Sequence, residues 1–69
     1  MKATLKFNSY DTAKSFAREW AIYSRKGYSL GAKNENGGSE LILWNVNDEE
    51  RVWIDLKIAG MTLDYAKGY

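Results

Sequence analysis

The sequence contains no cysteine, no histidine and no proline among its 69 residues. Without cysteine no disulfide can form, and without either of the preferred zinc-binding side chains the usual structural zinc sites are excluded. The commonest general base and the thiol nucleophile are also missing, which disfavours catalysis. We therefore expect no enzymatic activity, no catalytic residue, no cofactor and no metal site.

Long apolar runs are missing too. No stretch approaches the roughly 18 residues that suggest a membrane-spanning helix. Met1 leads straight into an alternating pattern, whereas a signal peptide has a continuous apolar segment. We expect a soluble, cytoplasmic protein with no membrane partner.

The short length limits how much stability the chain can draw from its own core. Residues 1–69 have room for one small domain. A core of this size rarely contributes more than roughly 3–5 kcal/mol net, and small domains usually add disulfides, a metal or an oligomeric contact. Because the first two are excluded, self-association or docking onto a larger partner is favoured.

The net charge is only +1, but the charges are unevenly distributed along the chain. Residues 1–34 carry seven Lys or Arg and two Asp or Glu, a balance of +5; residues 35–69 carry three and seven, a balance of −4. The sequence pI of about 7.9 is below the value of about 9 that is typical of nucleic-acid-binding domains. This asymmetry indicates a partner only if folding places the two signs on different faces.

Hydrophobic periodicity predicts an α+β fold. One segment alternates before a single long helical pattern, and three further segments have strand character. The expected architecture is β-α-β-β-β, a four-stranded sheet with one helix on one face and a short C-terminal tail or helical turn after Gly60. The predicted strands are Lys2–Phe7, Tyr28–Lys33, Glu40–Val46 and Arg51–Ile58, and the predicted helix is Thr12–Lys26.

Two predicted turns set the expected strand registers. Asn36-Gly37 is typical of a type I′ hairpin turn and would place Leu30 opposite Leu43. A second turn over residues 47–50 would place Leu43 opposite Ile54. Side chains alternate along a strand, so Trp44 and Trp53 would lie side by side on the face that points away from the core.

This exposed tryptophan pair is the strongest candidate for a binding site. Trp, Tyr and Arg dominate the energetics of protein interfaces, and cations surround the two indoles in the predicted sheet. The predicted partner-binding residues are Trp44, Trp53, Arg51, Ile42, Val46 and Lys57.

Three explanations for the tryptophan pair remain open. The tail could fold back and cover the rings with Met61, Leu63, Tyr65 or Tyr69. The rings could form a protein interface, with a larger partner or in a homodimer. They could also stack on the bases of single-stranded RNA, in which case the phosphate contacts would come from Lys2, Lys6 and Lys33.

The predicted helix offers a possible second, basic surface. Three of its cations lie within about 40° of one another on the helical wheel, with one isoleucine beside them. Such a stripe can contact an acidic protein surface or phosphate, although most charged faces are simply solvated. Its members are Lys14, Arg18, Ile22 and Arg25.

These observations predict a small non-catalytic binding protein. Its short length and lack of catalytic groups suit an accessory or inhibitor protein of the kind that phages encode. It would dock onto a larger macromolecular partner, or form a homodimer, through the Trp/Arg/Lys sheet face. The alternative is a single-stranded RNA-binding protein that stacks bases on Trp44 and Trp53.

Overall fold

The structure, a computed structural model, describes residues 1–60 and the backbone of residues 65–68. It confirms the α+β class, but it contains two helices where the sequence pattern predicted one. The elements are β1 Ala3–Phe7, α1 Tyr10–Ser24, β2 Tyr28–Leu30, β3 Ser39–Leu43, α2 Asp48–Ala59 and β4 Tyr65–Gly68.

Strands β2, β3 and β1 form a three-stranded antiparallel sheet with β3 in the middle. The segment β4 pairs antiparallel with the other side of β1, which places Phe7 opposite Tyr65. Since β1 and β2 are both antiparallel to β3, they run in the same direction. They are not neighbours, however, because β3 lies between them.

Ser9 caps the N-terminus of helix α1. The Ser9 hydroxyl accepts a hydrogen bond from the backbone N–H of Thr12 at 3.3 Å, which satisfies one of the free donors in the first turn. The helix ends at Ser24, and the next residue, Arg25, has a left-handed backbone with φ of 59°. The predicted helix extended to Lys26; in the structure the carbonyl of the next residue, Gly27, accepts a hydrogen bond from the indole N–H of Trp20 at 3.3 Å.

The predicted strand Arg51–Ile58 is wrong, because these residues belong to α2. Asn47 and Glu50 form a capping box: the Asn47 side chain accepts from the Glu50 N–H at 2.8 Å, and the Glu50 carboxylate accepts from the Asn47 N–H at 2.9 Å. This reciprocal pair fixes a helix N-terminus where a hairpin turn was expected. The strand register predicted from that turn, with Leu43 opposite Ile54, is therefore wrong as well.

The connection between β2 and β3 is a longer loop than the predicted two-residue turn. Leu30 pairs with Leu41 rather than with Leu43, a shift of two positions. An even shift leaves each side chain on its predicted face. At the end of the loop Gly38 is packed so tightly that a Cβ there would overlap the backbone carbonyl oxygen of Phe7, so only glycine fits.

One face of the sheet packs against the helices and forms the core. The alternating residues of β1 and β3 that face this side are fully or almost fully buried, whereas their neighbours on the opposite, outer face are half-buried or exposed. The core residues are Ala3, Leu5, Phe7, Ala13, Phe16, Ala17, Trp20, Leu41, Leu43, Val46, Ile54 and Ile58.

The tail is only partly described. Tyr65–Gly68 is a strand where a helical turn was one of the two expectations. The predicted cover of the tryptophans by Met61, Leu63, Tyr65 or Tyr69 lies outside the described residues and side chains.

Candidate binding surfaces

Trp44 and Trp53 do not form the predicted pair, because they lie in different layers of the molecule. Trp44 follows β3 and continues its alternation, so it lies on the outer face of the sheet with Ile42. Trp53 is part of α2 and packs against α1. The sheet lies between the two indoles, and a single partner surface cannot contact both in the way predicted.

Trp53 forms an aromatic cluster with α1. Its ring stacks on Tyr23 at a centroid distance of 4.6 Å and an interplanar angle of 4°. It also contacts Phe16 at 5.7 Å and Trp20 at 6.2 Å, and the Lys57 ammonium lies 5.5 Å from its centroid. Trp53 is half-buried, so the indole joins the two helices and still reaches the surface.

Two ion pairs on either side of this cluster fix the direction of α2 relative to α1. As the numbers rise along α1 they fall along α2, so the helices are antiparallel. The contacts that show this are Glu19 with Lys57 at 2.6 Å, Tyr23 with Trp53, and Lys26 with Glu50 at 2.7 Å.

Glu50 is the only charged side chain among the described residues that is buried, with 6% of its surface exposed. Burial by itself would raise the pKa of this carboxyl. The Lys26 ammonium, the Asn47 backbone N–H and the positively charged amino group of Met1 lower it by more, so the pKa lies below its ordinary value of 4.5. Lys26 also donates to the Asn45 carbonyl at 2.6 Å. The ionised carboxylate is thus a structural link between α1, α2 and the segment that precedes α2.

Three aliphatic side chains are exposed on the side of the helical layer that faces away from the sheet. Val52 and Leu56, one turn apart on α2, are 58% and 70% exposed, and Ile22 on α1 is 80% exposed. A shallow groove of roughly 430 Å³ runs beside them and is lined by Tyr23, Glu49, Val52, Trp53 and Leu56. We call Ile22, Tyr23, Val52, Trp53 and Leu56 the helical face.

Lys14, Arg18 and Ile22 of the predicted basic stripe are on α1. Lys14, Arg18 and Arg25 are exposed, and within the described part of the chain none of them is in an ion pair. Ile22, a member of the helical face, lies on the same side of α1 as Lys14 and Arg18, whereas Arg25 follows the end of the helix and has a left-handed backbone.

The outer face of the sheet presents one exposed indole. Trp44 is 43% exposed, and its N–H donates to the Ser29 hydroxyl at 3.1 Å. The Lys2 ammonium lies 5.6 Å from its centroid. Ile42 lies beside it, half-buried, and Lys6 stands opposite the acidic Glu40.

The remaining predicted residues are dispersed. Val46 is buried, and its N–H donates to the Met1 carbonyl at 2.7 Å, so it cannot contact a partner. Arg51 and Lys57 are on α2 with Trp53, and Lys33 is exposed in the loop between β2 and β3.

Sequence reasoning missed Tyr23, Val52 and Leu56 as surface residues. The predicted strand Arg51–Ile58 gives its side chains a period of two, which would put Leu56 on the same face as Ile54. The signal that could have found them is the Asn47-x-x-Glu50 spacing of a capping box, which predicts a helix in which residues 52 and 56 share one face.

Within residues 1–60 and 65–68, no helix is long and apolar enough to cross a membrane. The same residues contain no group of three or more acidic side chains placed to hold a metal ion. Comparisons with protein-family models, curated proteins and solved structures found no match to this chain.

Proposed function

We propose that this chain is a non-catalytic binding protein that docks onto a protein partner through the helical face. The observation that carries the proposal is the distribution of apolar side chains on α2. Ile54 and Ile58 face the core, while Val52 and Leu56 face outward and are more than half exposed. A helix that is apolar on two opposite sides is normally buried on both.

The contiguity of the apolar side chains in this patch also favours a protein partner. Single exposed apolar residues are normal, but contiguous ones next to aromatic rings mark interaction sites. In the helical face, two aliphatic side chains from one helix adjoin an aromatic stack. Burying them in a partner would stabilise the complex by roughly 25 cal/mol for each Å² removed from water.

The aromatic stack is already held in place before any partner binds. Tyr23 and Trp53 are packed ring on ring, and the Lys57–Glu19 ion pair spans the two helices beside them. Preorganised aromatic side chains lose little rotamer freedom on binding and are the usual anchors of protein interfaces. The half-exposed Tyr23 ring and the edge of Trp53 would serve as these anchors.

A protein of this kind acts by occupying or bridging surfaces, and it needs no catalytic group. This mode of action suits the accessory or inhibitor role of the phage type expected from the sequence. Trp53, Lys57 and Arg51 would contribute from α2, whereas Trp44 and Ile42 would not take part in the same contact.

A site-specific photo-crosslinker tests the proposal in the cell that makes the protein. Benzoylphenylalanine in place of Leu56 should give adducts with protein on irradiation, identified by mass spectrometry. The same group in place of Asn36, exposed in the loop between β2 and β3, is the matched control. Adduct formation no greater at Leu56 than at Asn36 would contradict docking through the helical face.

The outer face of the sheet carries the alternative function, binding of single-stranded RNA. Its support is the exposed Trp44 ring with Lys2 beside it, an arrangement that can stack a base and contact a phosphate. Lys6 and Lys33 would extend the phosphate path. A single indole, already hydrogen-bonded to Ser29, makes this the weaker candidate.

The two functions predict different behaviour on titration with a mixed-sequence single-stranded RNA. Stacking on Trp44 should quench indole fluorescence, and the quenching should fade as salt rises because phosphate contacts are salt-dependent. Loss of the quenching in Trp44→Phe, with Trp53 still present, would assign it to the sheet face. An unchanged spectrum at low salt would remove the RNA alternative.

A further inference from the structure

We infer that the partner of the helical face is a second copy of this chain, related by a two-fold axis that runs parallel to the helices and between two facing helical layers. This arrangement puts α1 of each protomer across α2 of the other. The inference rests on the proposed function, since it uses the same face, and it adds the identity of the partner.

Charge complementarity favours this partner. The outer side of α1 carries Lys14 and Arg18, and Arg25 follows its last turn; among the residues that the structure describes, none of the three is in an ion pair. The first turn of α2 presents the exposed acids Asp48 and Glu49. The excess of positive charge in the first half of the sequence is thus found on α1, and part of the negative charge of the second half is found at the start of α2. Placing α1 across the partner's α2 brings Arg25 to the acidic first turn of α2.

The other two-fold arrangement of the same layers is disfavoured by charge. If the axis crossed the helices at a right angle, α1 would face α1 of the second copy. Arg18 would then lie against a surface that carries the same three cations, and like charges across an interface disfavour association. Electrostatics therefore selects the arrangement in which the two kinds of helix alternate.

The apolar residues match in height along the helices. Within one protomer, Glu19 lies level with Lys57, and Tyr23 lies level with Trp53. An axis parallel to the helices preserves height, so Ile22 of one copy arrives near residue 54 of the other. That level lies between Val52 and Leu56, the two exposed aliphatic residues of α2, and Ile22 fills the space between them.

The positions of residues along the helix axes also identify the main electrostatic contact between the two copies. Lys26 lies level with Glu50, so Arg25 of one copy comes to the first turn of α2 in the other, close to Glu49. Because a two-fold interface is self-complementary, each contact occurs twice. The Ile22 contact and the Arg25 contact together would bury the exposed part of the helical face on both copies.

Sedimentation equilibrium of the purified full chain tests the inference. Between about 10 µM and 1 mM, a range that brackets weak to moderate affinities, the mass should rise from the 7.9 kDa of the monomer toward twice that value. Leu56→Glu should weaken dimerisation by at least about tenfold, as expected for an interface anchor. Asn36→Glu, which adds the same charge away from the helical face, should leave it unchanged.

A charge exchange tests the proposed geometry. Arg25→Glu and Glu49→Arg should each weaken the dimer, and the double variant should recover most of the loss, because it restores one opposite-charge contact in each half of the interface. Circular dichroism melting curves verify that every variant is folded. Failure of the double variant to recover association would overturn the assigned register.

The outcomes separate this inference from the function on which it rests. A purified chain that stays monomeric to about 1 mM, with Leu56 crosslinking to a different protein in the cell, would overturn the homodimer and leave the docking function in place. A dimer that Leu56→Glu does not weaken would also overturn the inference. Adducts absent at Leu56 together with a monomeric chain would contradict both.

Discussion

Trp53 and Trp44 each lie beside a lysine, but they belong to different layers of the molecule and differ in how they pack. Each indole has a lysine ammonium at its ring, 5.5 Å from the centroid for Trp53 and 5.6 Å for Trp44. Trp53 also packs against three aromatic rings of α1, whereas the N–H of Trp44 bonds to a single serine hydroxyl on the outer face of the sheet. Packing, and not residue type, separates a ring that holds two helices together from a ring attached to a surface.

The difference extends from the two rings to the surfaces around them. The helical face combines exposed aliphatic side chains with an aromatic stack. It adjoins the basic side of α1 and the acidic first turn of α2. The outer face of the sheet has one indole, and its charges are partly balanced across the strands, as at Lys6 and Glu40. We therefore expect substitutions in the helical layer to change stability and association, and substitutions on the outer face to change little.

The largest effect is expected for Trp53→Ala. Removing the ring leaves a cavity between Phe16, Trp20 and Tyr23 and should lower the free energy of unfolding by about 3 kcal/mol, the lower end of the range for large aromatic residues. Urea denaturation followed by circular dichroism measures the loss. A change below about 1 kcal/mol would show that the ring does not join the helices.

Glu50→Gln should have the next largest effect. The variant keeps the side-chain shape but removes the charge that pairs with Lys26, and we expect a loss of about 1–3 kcal/mol in the free energy of unfolding. The double variant with Lys26→Met is the control, because it removes both partners. If the double variant is no more stable than the sum of the two single losses predicts, the pair is not coupled.

Acid should weaken the native protein through the same carboxyl. The pKa of Glu50 is lower in the folded than in the unfolded state, so its contribution to stability is fully present above the ordinary carboxyl pKa. It is lost as the pH falls through the lower pKa of the folded state. The free energy of unfolding should therefore depend more steeply on pH below about 4.5 in the native protein than in Glu50→Gln. Parallel curves would contradict the assignment.

A smaller effect is expected for Lys57→Met. The ammonium pairs with Glu19 at 2.6 Å, but both side chains are substantially exposed, and exposed pairs contribute about 0.2–1 kcal/mol. The difference between stability in low and in high salt should be smaller for the variant than for the native protein. An equal salt dependence would mean that the pair contributes nothing measurable.

The smallest effect is expected for Trp44→Phe. The change removes an exposed hydrogen bond to Ser29 and leaves an aromatic ring in place, so the free energy of unfolding should stay within about 0.5 kcal/mol. Thermal melting compared with that of Trp53→Phe sharpens the contrast between the two layers. Equal losses in the two variants would mean that the outer face packs as tightly as the helical layer.

The sequence pattern was most informative where the apolar residues fitted only one periodicity, that of a strand or that of a helix. Alternation in residues 2–7 predicted β1, and the 3.6-residue period predicted α1 to within two residues at each end. It failed over residues 51–58, where Val52, Ile54, Leu56 and Ile58 satisfy a period of two but also give two opposite stripes on a helix. The capping box of Asn47 and Glu50 decides between them.

By itself the sequence determined the α+β class, the first strand and the first helix, because each depends on local spacing or on residue types. Only the tertiary structure decided that Trp53 joins the helices, that Val46 is buried and that Leu56 is exposed. These depend on which elements pack together, and a helix with apolar residues on two sides does not specify which side packs on the core until the sheet and α1 are in place.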